Sequence, residues 1–367
     1  MNKMIVANLV YRPLRSIISV VAVGVEVTLI LLIVGLAMGM LNDNKTRQKG
    51  IGADIMVRPP GANIINAFNA AAIPVKVADI VRKQPHVVAV SPVVTQVTST
   101  TNIEVIYGVD LASFEQLGGP FHYLEGGPFE QPSDMIVDDF FAAGKNVHPG
   151  SMVEVLNQKF RICGIVPHGR GARRYIPIAT MQELAGAQNK ASILYVKLDN
   201  PDNAPLVSQE LKSIPGMSDY NIMSIGDWLS AMSADNIPGL AIFIRIVIGI
   251  SVIIGFIVIF QSMYTAVMER TREIGILKSL GASKGYVMRV ILRETLLLAI
   301  GGILFGIAVS MAARAGILAH WPTLPVQLTF GWILRAAIIA VLGAMLGAIY
   351  PALKAAQKDP IDALAYE

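Results

Sequence analysis

The sequence has little that would let it work as a catalyst or a metal protein. A single cysteine among 367 residues, Cys163, excludes an intrachain disulfide and any cysteine-based metal cluster built from one chain. The histidines His86, His122, His148, His168 and His320 are scattered, and none makes an H-E-x-x-H or another short ligand spacing, so no metal site is expected. Charge is scarce as well: 15% of residues are charged and 53% are hydrophobic, too apolar for a purely soluble protein. No G-x-x-x-x-G-K-[ST] segment occurs, so no backbone cradle for ATP phosphates is expected in this chain. Gly281-Ala282-Ser283-Lys284-Gly285 matches G-x-S-x-G, but a nucleophile elbow needs a strand before its serine and this match follows a helical pattern. The chain is therefore not expected to be an enzyme.

What the sequence does have is long apolar runs. The first, from Ile17 to about Leu41, is long enough to cross a hydrocarbon core of roughly 30 Å. It exceeds the apolar region of a signal peptide, although Ala37-Met38-Gly39 loosely resembles a processing site, so it reads as a retained anchor. Three more runs cover about Leu240–Met268, Thr295–Ile317 and Trp332–Ala352. The net charge of +4 could suggest nucleic acid, but the basic residues cluster beside the apolar runs. Positive-inside topology accounts for them, with Lys3, Arg12 and Arg15 placing the N-terminus in the cytoplasm and the C-terminus on the same side. The fold class is thus an α-helical membrane protein of about four spans, with an extracytoplasmic α+β domain between the first and second.

Three segments follow: residues 1–41 (N-terminus and first span), 42–236 (the extracytoplasmic domain) and 237–367 (the other three spans). Within the domain, Asp54–Arg58, Val87–Val97, Ile103–Val109, Met135–Asp138 and Ile193–Leu198 read as strands, and Val75–Lys83, Ile178–Leu184 and Ala204–Ile214 as helices. Met152–Leu156 and Lys159–Val166 read as a hairpin across Asn157-Gln158, with Cys163 buried in its second strand. The loop His168–Arg174 is basic and glycine-rich. It suits either an anionic partner or a solvated tip.

Glu26 lies inside the first apolar run, where an ionisable group costs on the order of 2.5–3.5 kcal/mol even on lenient insertion scales. It must face protein, water or a ligand. Were two first helices to meet across a two-fold axis, two copies would approach each other; a neutral carboxyl bonded to Thr28 or a neighbouring helix is the structural alternative. The pairs Gly35/Gly39, Gly302/Gly306 and Gly343/Gly347 have the spacing of close helix contacts without naming the partner.

The most informative stretch is E-R-T-R-E-I-G-I-L-K-S-L-G-A-S, Glu269–Ser283, a short amphipathic helix between two apolar runs with Gly281 as its stop. It resembles the signature loop of FtsX/MacB-like permeases, the type VII ABC transporter family. The tail Y-P-A-L-K-A-A-Q-K-D-P-I-D-A-L from Tyr350, with Asp359 suited to cap a helix beginning at Pro360, and N-L-x-x-R-P-L-R at Asn8–Arg15 are similar to the same family's ends. More loosely, the opening A-D-I-M-V and the G-I-V at Gly164–Val166 resemble its MacB-like periplasmic core.

That resemblance implies the permease subunit of an ABC transporter in a bacterial inner membrane, a homodimer working with two copies of a separate ATPase that binds the ATP and Mg. This chain would carry no cofactor. The coupling loop would span 269–290 and the cytoplasmic tail 353–367. Ile274, Leu277, Leu280 and Gly281 would form the surface docked on the ATPase, with Glu269, Arg270, Arg272 and Glu273 beside it. ATP-driven motion would pass along rigid helices to the outer domain, moving a lipophilic substrate such as haem, an amphipathic drug, lipid or lipoprotein, with Glu26 the candidate substrate-binding group. Membrane lipids and a membrane-fusion adaptor are further expected partners, nucleic acid is not, and the alternative is an FtsX-like module that activates a cell-wall hydrolase and transports nothing.

Overall fold

The computed structural model describes residues 13–61, 72–98, 104–237 and 239–358. The N-terminal motif up to residue 12, the start of the Ile103 strand and the Asp359 cap lie outside them. The chain forms two compact units, one of residues 1–39, 238–319 and 326–367, the other of 40–237 with 320–325.

Helix α1 (Pro13–Gly50) is unbroken and runs beyond the apolar stretch that ends near Leu41. Its polar end, N-D-N-K-T-R-Q-K, carries helix-compatible residues and an Asp43–Arg47 ion pair (3.1 Å) at the i,i+4 spacing, so nothing stops it before Gly50.

The second unit follows. Its first half contains β1 (Ile55–Arg58), β2 (Ile73–Pro74), α2 (Lys76–Arg82), β3 (Val87–Thr98), β4 (Glu104–Val109), α3 (Leu111–Gly118) and β5 (Glu125–Gly126). Next come β6 (Asp134–Asp138), α4 (Asp139–Lys145), β7 (Met152–Val155), β8 (Gln158–Val166), β9 (Arg174–Pro177) and α5 (Ile178–Leu184). The last part is β10 (Lys190–Ala191), β11 (Ile193–Leu198), α6 (Ala204–Ser213), β12 (Asn221–Ser224) and α7 (Ile225–Ala231). A mixed sheet runs β12-β1-β11-β3-β4-β9-β6-β8-β5, with β7 on β8; β4/β9 and β6/β8 are parallel. Alternation sends Met56, Val93, Tyr107, Tyr175 and Tyr195 to one core, with Phe114 and Trp228 packed on them. Ile55, Val57, Leu194 and Val196 enter another on the opposite face.

Two local expectations need correction. The β7–β8 turn is Leu156-Asn157, one residue earlier than Asn157-Gln158, since Val155 pairs with Gln158 and both turn residues take positive φ (52° and 60°), as a two-residue hairpin of matching twist requires. The arginines of the 168–174 loop turn into the protein and are not held out to an anionic partner or to solvent. Arg170 lies over the Phe121 and Phe114 rings (4.5 and 5.1 Å) and donates to the Phe114 carbonyl (3.2 Å), while Arg173 and Arg174 are buried. Cys163 is half-buried in β8, and burial pushes its thiol up to about 12.

The first unit contains α1 as far as Gly39, then α8 (Leu240–Glu269), α9 (Thr271–Ser279), α10 (Lys284–His320) and α11 (Phe330–Gln357). Among the described residues α1, α8, α10 and α11 are the four helices long and apolar enough to cross a membrane. The small-residue pairs acquire partners: Gly302 and Gly306 of α10 receive Val23 and Val27 of α1, and Gly347 of α11 lies against the Phe256 backbone of α8. Hydroxyls add to the seams, with Ser19 and Ser262 bonded at 2.6 Å and Thr28 donating to the Gly306 carbonyl (3.2 Å).

Gly255 of α8 faces Glu26 so closely that an added Cβ would lie 1.9 Å from Oε2. Gly255→Ala is therefore expected to destabilise the helical unit by about 1–3 kcal/mol, as overpacking does, and Glu26→Ala should recover most of the loss in thermal unfolding of the purified protein. A double variant no more stable than Gly255→Ala alone would contradict this contact.

In the sheet unit Asp134 is fully buried, and Arg161 forks onto it (2.9 and 3.1 Å) while the Glu130 and Gln131 N–H groups donate to it (2.8 and 2.9 Å). Burial works to raise this carboxyl, but the Arg161 fork and the two amides prevail and hold it below its ordinary 3.8. Its stabilisation is thus complete above that value and is lost as pH falls through the lower folded value. Asp134→Asn should lower stability by a near-constant amount at neutral and alkaline pH and flatten the acid limb of the unfolding profile; an unchanged acid limb would count against the assignment.

Candidate functional site

The segment resembling the family loop folds as α9, a short helix held at both ends. At its start the half-buried Arg270 donates twice to Glu294 of α10, Nη1 to Oε2 at 3.0 Å and Nη2 to Oε1 at 3.2 Å. Arg15 of α1 donates to the same carboxylate at 3.1 Å and lies 3.6 Å from Glu269. Glu294 is 2% exposed, so two guanidiniums offset a charge inside the bundle, where a carboxylate without partners would cost several kcal/mol. At the other end the Lys278 ammonium donates to the Ala356 carbonyl (3.0 Å) and to that of Lys358, both at the end of α11. Orphan carbonyls at a helix C-terminus are natural acceptors for a cation.

The stop is a two-bond turn. The Ala282 N–H donates to the Leu277 carbonyl and the Gly281 N–H to that of Lys278, both at 3.0 Å, with Gly281 at φ +96°. Ser283 then accepts from the Tyr286 N–H (3.2 Å) and caps α10. Gly281-Ala282-Ser283 is therefore helix punctuation, which removes the nucleophile-elbow geometry.

The expected site residues divide between two faces. Ile274 and Leu277 point inward and, with Met263, Val287 and Ile291, line a cavity of about 90 Å³ between α8, α9 and α10. Arg272 and Glu273 are exposed, Glu269 stands at the rim, and Arg270 faces inward to Glu294. Leu280 is 80% exposed and is joined by Ile276 at 44%. Ile276, Lys278, Glu294 and Arg15 are not among the site residues expected from sequence, where Arg15 bears only on topology. The i,i+4 spacing of Ile276 and Leu280 was the available signal for the outward pair, whereas Arg15 and Glu294 are 279 residues apart and only the fold joins them.

Glu26 is 2% exposed, and neither carboxylate oxygen has a hydrogen-bond partner among the described residues. It points between α8 and α11, toward Gly255 and Gly343 of its own chain. It is thus not aimed at a second copy of itself. Thr28 is not its partner either, since that hydroxyl donates to the Gly24 and Gly306 carbonyls.

The model of the FtsX-like permease C-terminal region matches residues 245–360, and that of the MacB-like periplasmic core domain matches residues 16–214. The uncharacterised ABC transporter permease YknZ of Bacillus subtilis is 30% identical over 226 residues, 59% of this chain and 55% of that protein. The macrolide export ATP-binding/permease protein MacB of Mannheimia succiniciproducens is 24% identical over 397 residues, 100% of this chain and 60% of its own. MacB of Bdellovibrio bacteriovorus is 27% identical over 241 residues, 59% of this chain and 36% of its own. The chain spans 36–60% of the length of these curated relatives. Four apolar helices, a mixed-sheet domain after the first of them and both family matches make the chain a membrane protein belonging to the MacB/FtsX-type ABC transporter permeases.

Proposed function

We propose that the chain works as a homodimeric permease in a bacterial inner membrane, driven by two copies of a partner ABC ATPase bound at α9. The sheet domain then lies outside the cytoplasm, and α9 and both termini lie inside it. ATP-driven closure of the ATPases displaces α9, and the helices joined to it carry that displacement to the sheet domain. One observation carries this reading: α9 is tied to α1, α10 and α11 through Glu294 and Lys278, yet presents Ile276 and Leu280 to solvent. A solvated connector needs no such ties, and apolar side chains exposed at a helix end suit a protein partner.

The cargo class we infer is lipophilic with a cationic centre. Glu26 supplies the opposite charge once α8 draws away from α1, and macrolide export in the names of relatives supports an amphipathic cargo. ATPase activity stimulated by such compounds in vesicles would support transport, whereas stimulation only by a soluble cell-wall hydrolase would favour signalling without transport.

Leu280→Asp or Ile276→Asp should weaken association with the cognate ATPase by roughly 30-fold or more, the scale of a hot-spot residue, measured by titration in nanodiscs. Arg270→Met should leave association intact but abolish stimulation of hydrolysis by cargo. Tight binding by both Asp variants would overturn the assignment of the docking face.

A further inference from the structure

The sheet unit is joined covalently to the helical unit at three places: through α1 at Gly39–Met40, through Ile237–Pro238 leading to α8, and through residues 320–325 between α10 and α11. These connections are covalent routes by which force from the membrane helices reaches the sheet unit. The first is welded. The Gly171 N–H donates to the Arg47 carbonyl (2.7 Å), and the Gln48 amide bonds the Tyr107 and Tyr195 hydroxyls (3.1 and 3.0 Å). Gly50 meets the Gly169 carbonyl so closely that a Cβ there would lie 1.9 Å from its oxygen.

The third connection is held differently. Arg173, 8% exposed, sends Nη1 to Asp138 Oδ2 at the end of β6 (3.2 Å), and Nη2 both to Asp43 Oδ2 on α1 (3.1 Å) and to the Thr323 carbonyl (3.4 Å). One planar guanidinium thus spans the sheet, the extension of α1 and the α10–α11 connection. Its face rests on the Phe140 ring at 5.4 Å. Gly144 leaves room beside this connection: a Cβ added there would come within ordinary van der Waals distance of Pro322 and Thr323. The charges also match, since burial pushes Asp138 up to about 6 against the pull of Arg173, so removing the guanidinium strands a carboxylate that is already poorly solvated.

We propose that Arg173 is the positioning residue that makes the α1 extension and the 320–325 connection move the sheet as one body. It rests on the reading above, that ATP moves this unit. Lysine would keep the charge but offers one ammonium in place of a fork, so it can restore folding and not the three-way bridge. A residue needed only for its charge would be rescued by that change.

The test uses the full permease–ATPase complex in nanodiscs, with Cys163→Ser and spin labels at Trp321→Cys and Ser213→Cys. The label separation is measured without nucleotide and with ATP trapped, and thermal stability and hydrolysis rate are followed alongside. The unmodified bridge should keep one narrow separation within the unit in both states, while a second pair, Leu280→Cys and Ser213→Cys, reports its ATP-driven displacement. Arg173→Lys should broaden the first separation when ATP is trapped and cut cargo-stimulated hydrolysis at least about threefold, the scale of coupling one residue carries, with unfolding little changed. Asp43→Asn, which keeps the Asp138 arm, should do the same should Arg173→Lys fold poorly. A first separation as narrow in both variants as without them overturns the role of Arg173. No displacement of the second pair in the unsubstituted complex overturns the reading it rests on, and with it this inference.

Discussion

A single buried carboxylate, Glu294, organises the end of the helix bundle. It lies in an apolar helix where a lone negative charge would not persist, and Arg270 and Arg15 satisfy it with three hydrogen bonds. Removing either guanidinium would leave a buried charge short of a partner, a loss on the order of 3–5 kcal/mol. Because the partners come from α1 and from the residue just before α9, that electrostatic demand also fixes where α9 sits. Lys278 makes the second tie by capping the carbonyl end of α11. A short helix that would be marginal alone in water becomes a rigid handle on three longer ones.

Glu26 is the counterpoint. It is as buried as Glu294, but glycines face it and its oxygens have no hydrogen-bond partner among the described residues. The bundle tolerates the first carboxylate by neutralising it and the second by making room. Glycine therefore has two uses here. Gly302, Gly306 and Gly347 bring backbones together, as packing without a hydrophobic drive in lipid requires, whereas Gly255 clears space for a polar side chain. The two arrangements place a static anchor at the α9 end and an unsatisfied group between α1, α8 and α11.

Much of this was legible in sequence wherever the signal is periodic and local. The four apolar runs, the strands at Asp54–Arg58, Val87–Val97 and Ile193–Leu198, and the short helix ending at Gly281 all rest on patterns within one segment. The misses have physical causes. Helix α1 overran its apolar stretch because polarity ends a membrane span without ending a helix. The hairpin turn shifted by one residue because Leu156 accepts a positive φ that propensity assigns to asparagine or glycine. Ile274 and Leu277, half-buried, line a cavity with residues of α8 and α10, since a helical stripe is apolar toward whatever it packs against. Arg15, Glu294, Arg173 and Asp43 were unreadable as partners because their ion pairs join residues more than a hundred positions apart.

The central claim is that α9 is the handle gripped by a nucleotide-driven partner on the cytoplasmic side. The most direct measurement is labelling of Leu280→Cys, in a Cys163→Ser background, by a membrane-impermeant maleimide in intact and in permeabilised cells. Labelling only after permeabilisation, and its suppression when the ATPase is bound, is the expected result. Labelling in intact cells, or labelling indifferent to the ATPase, would contradict it.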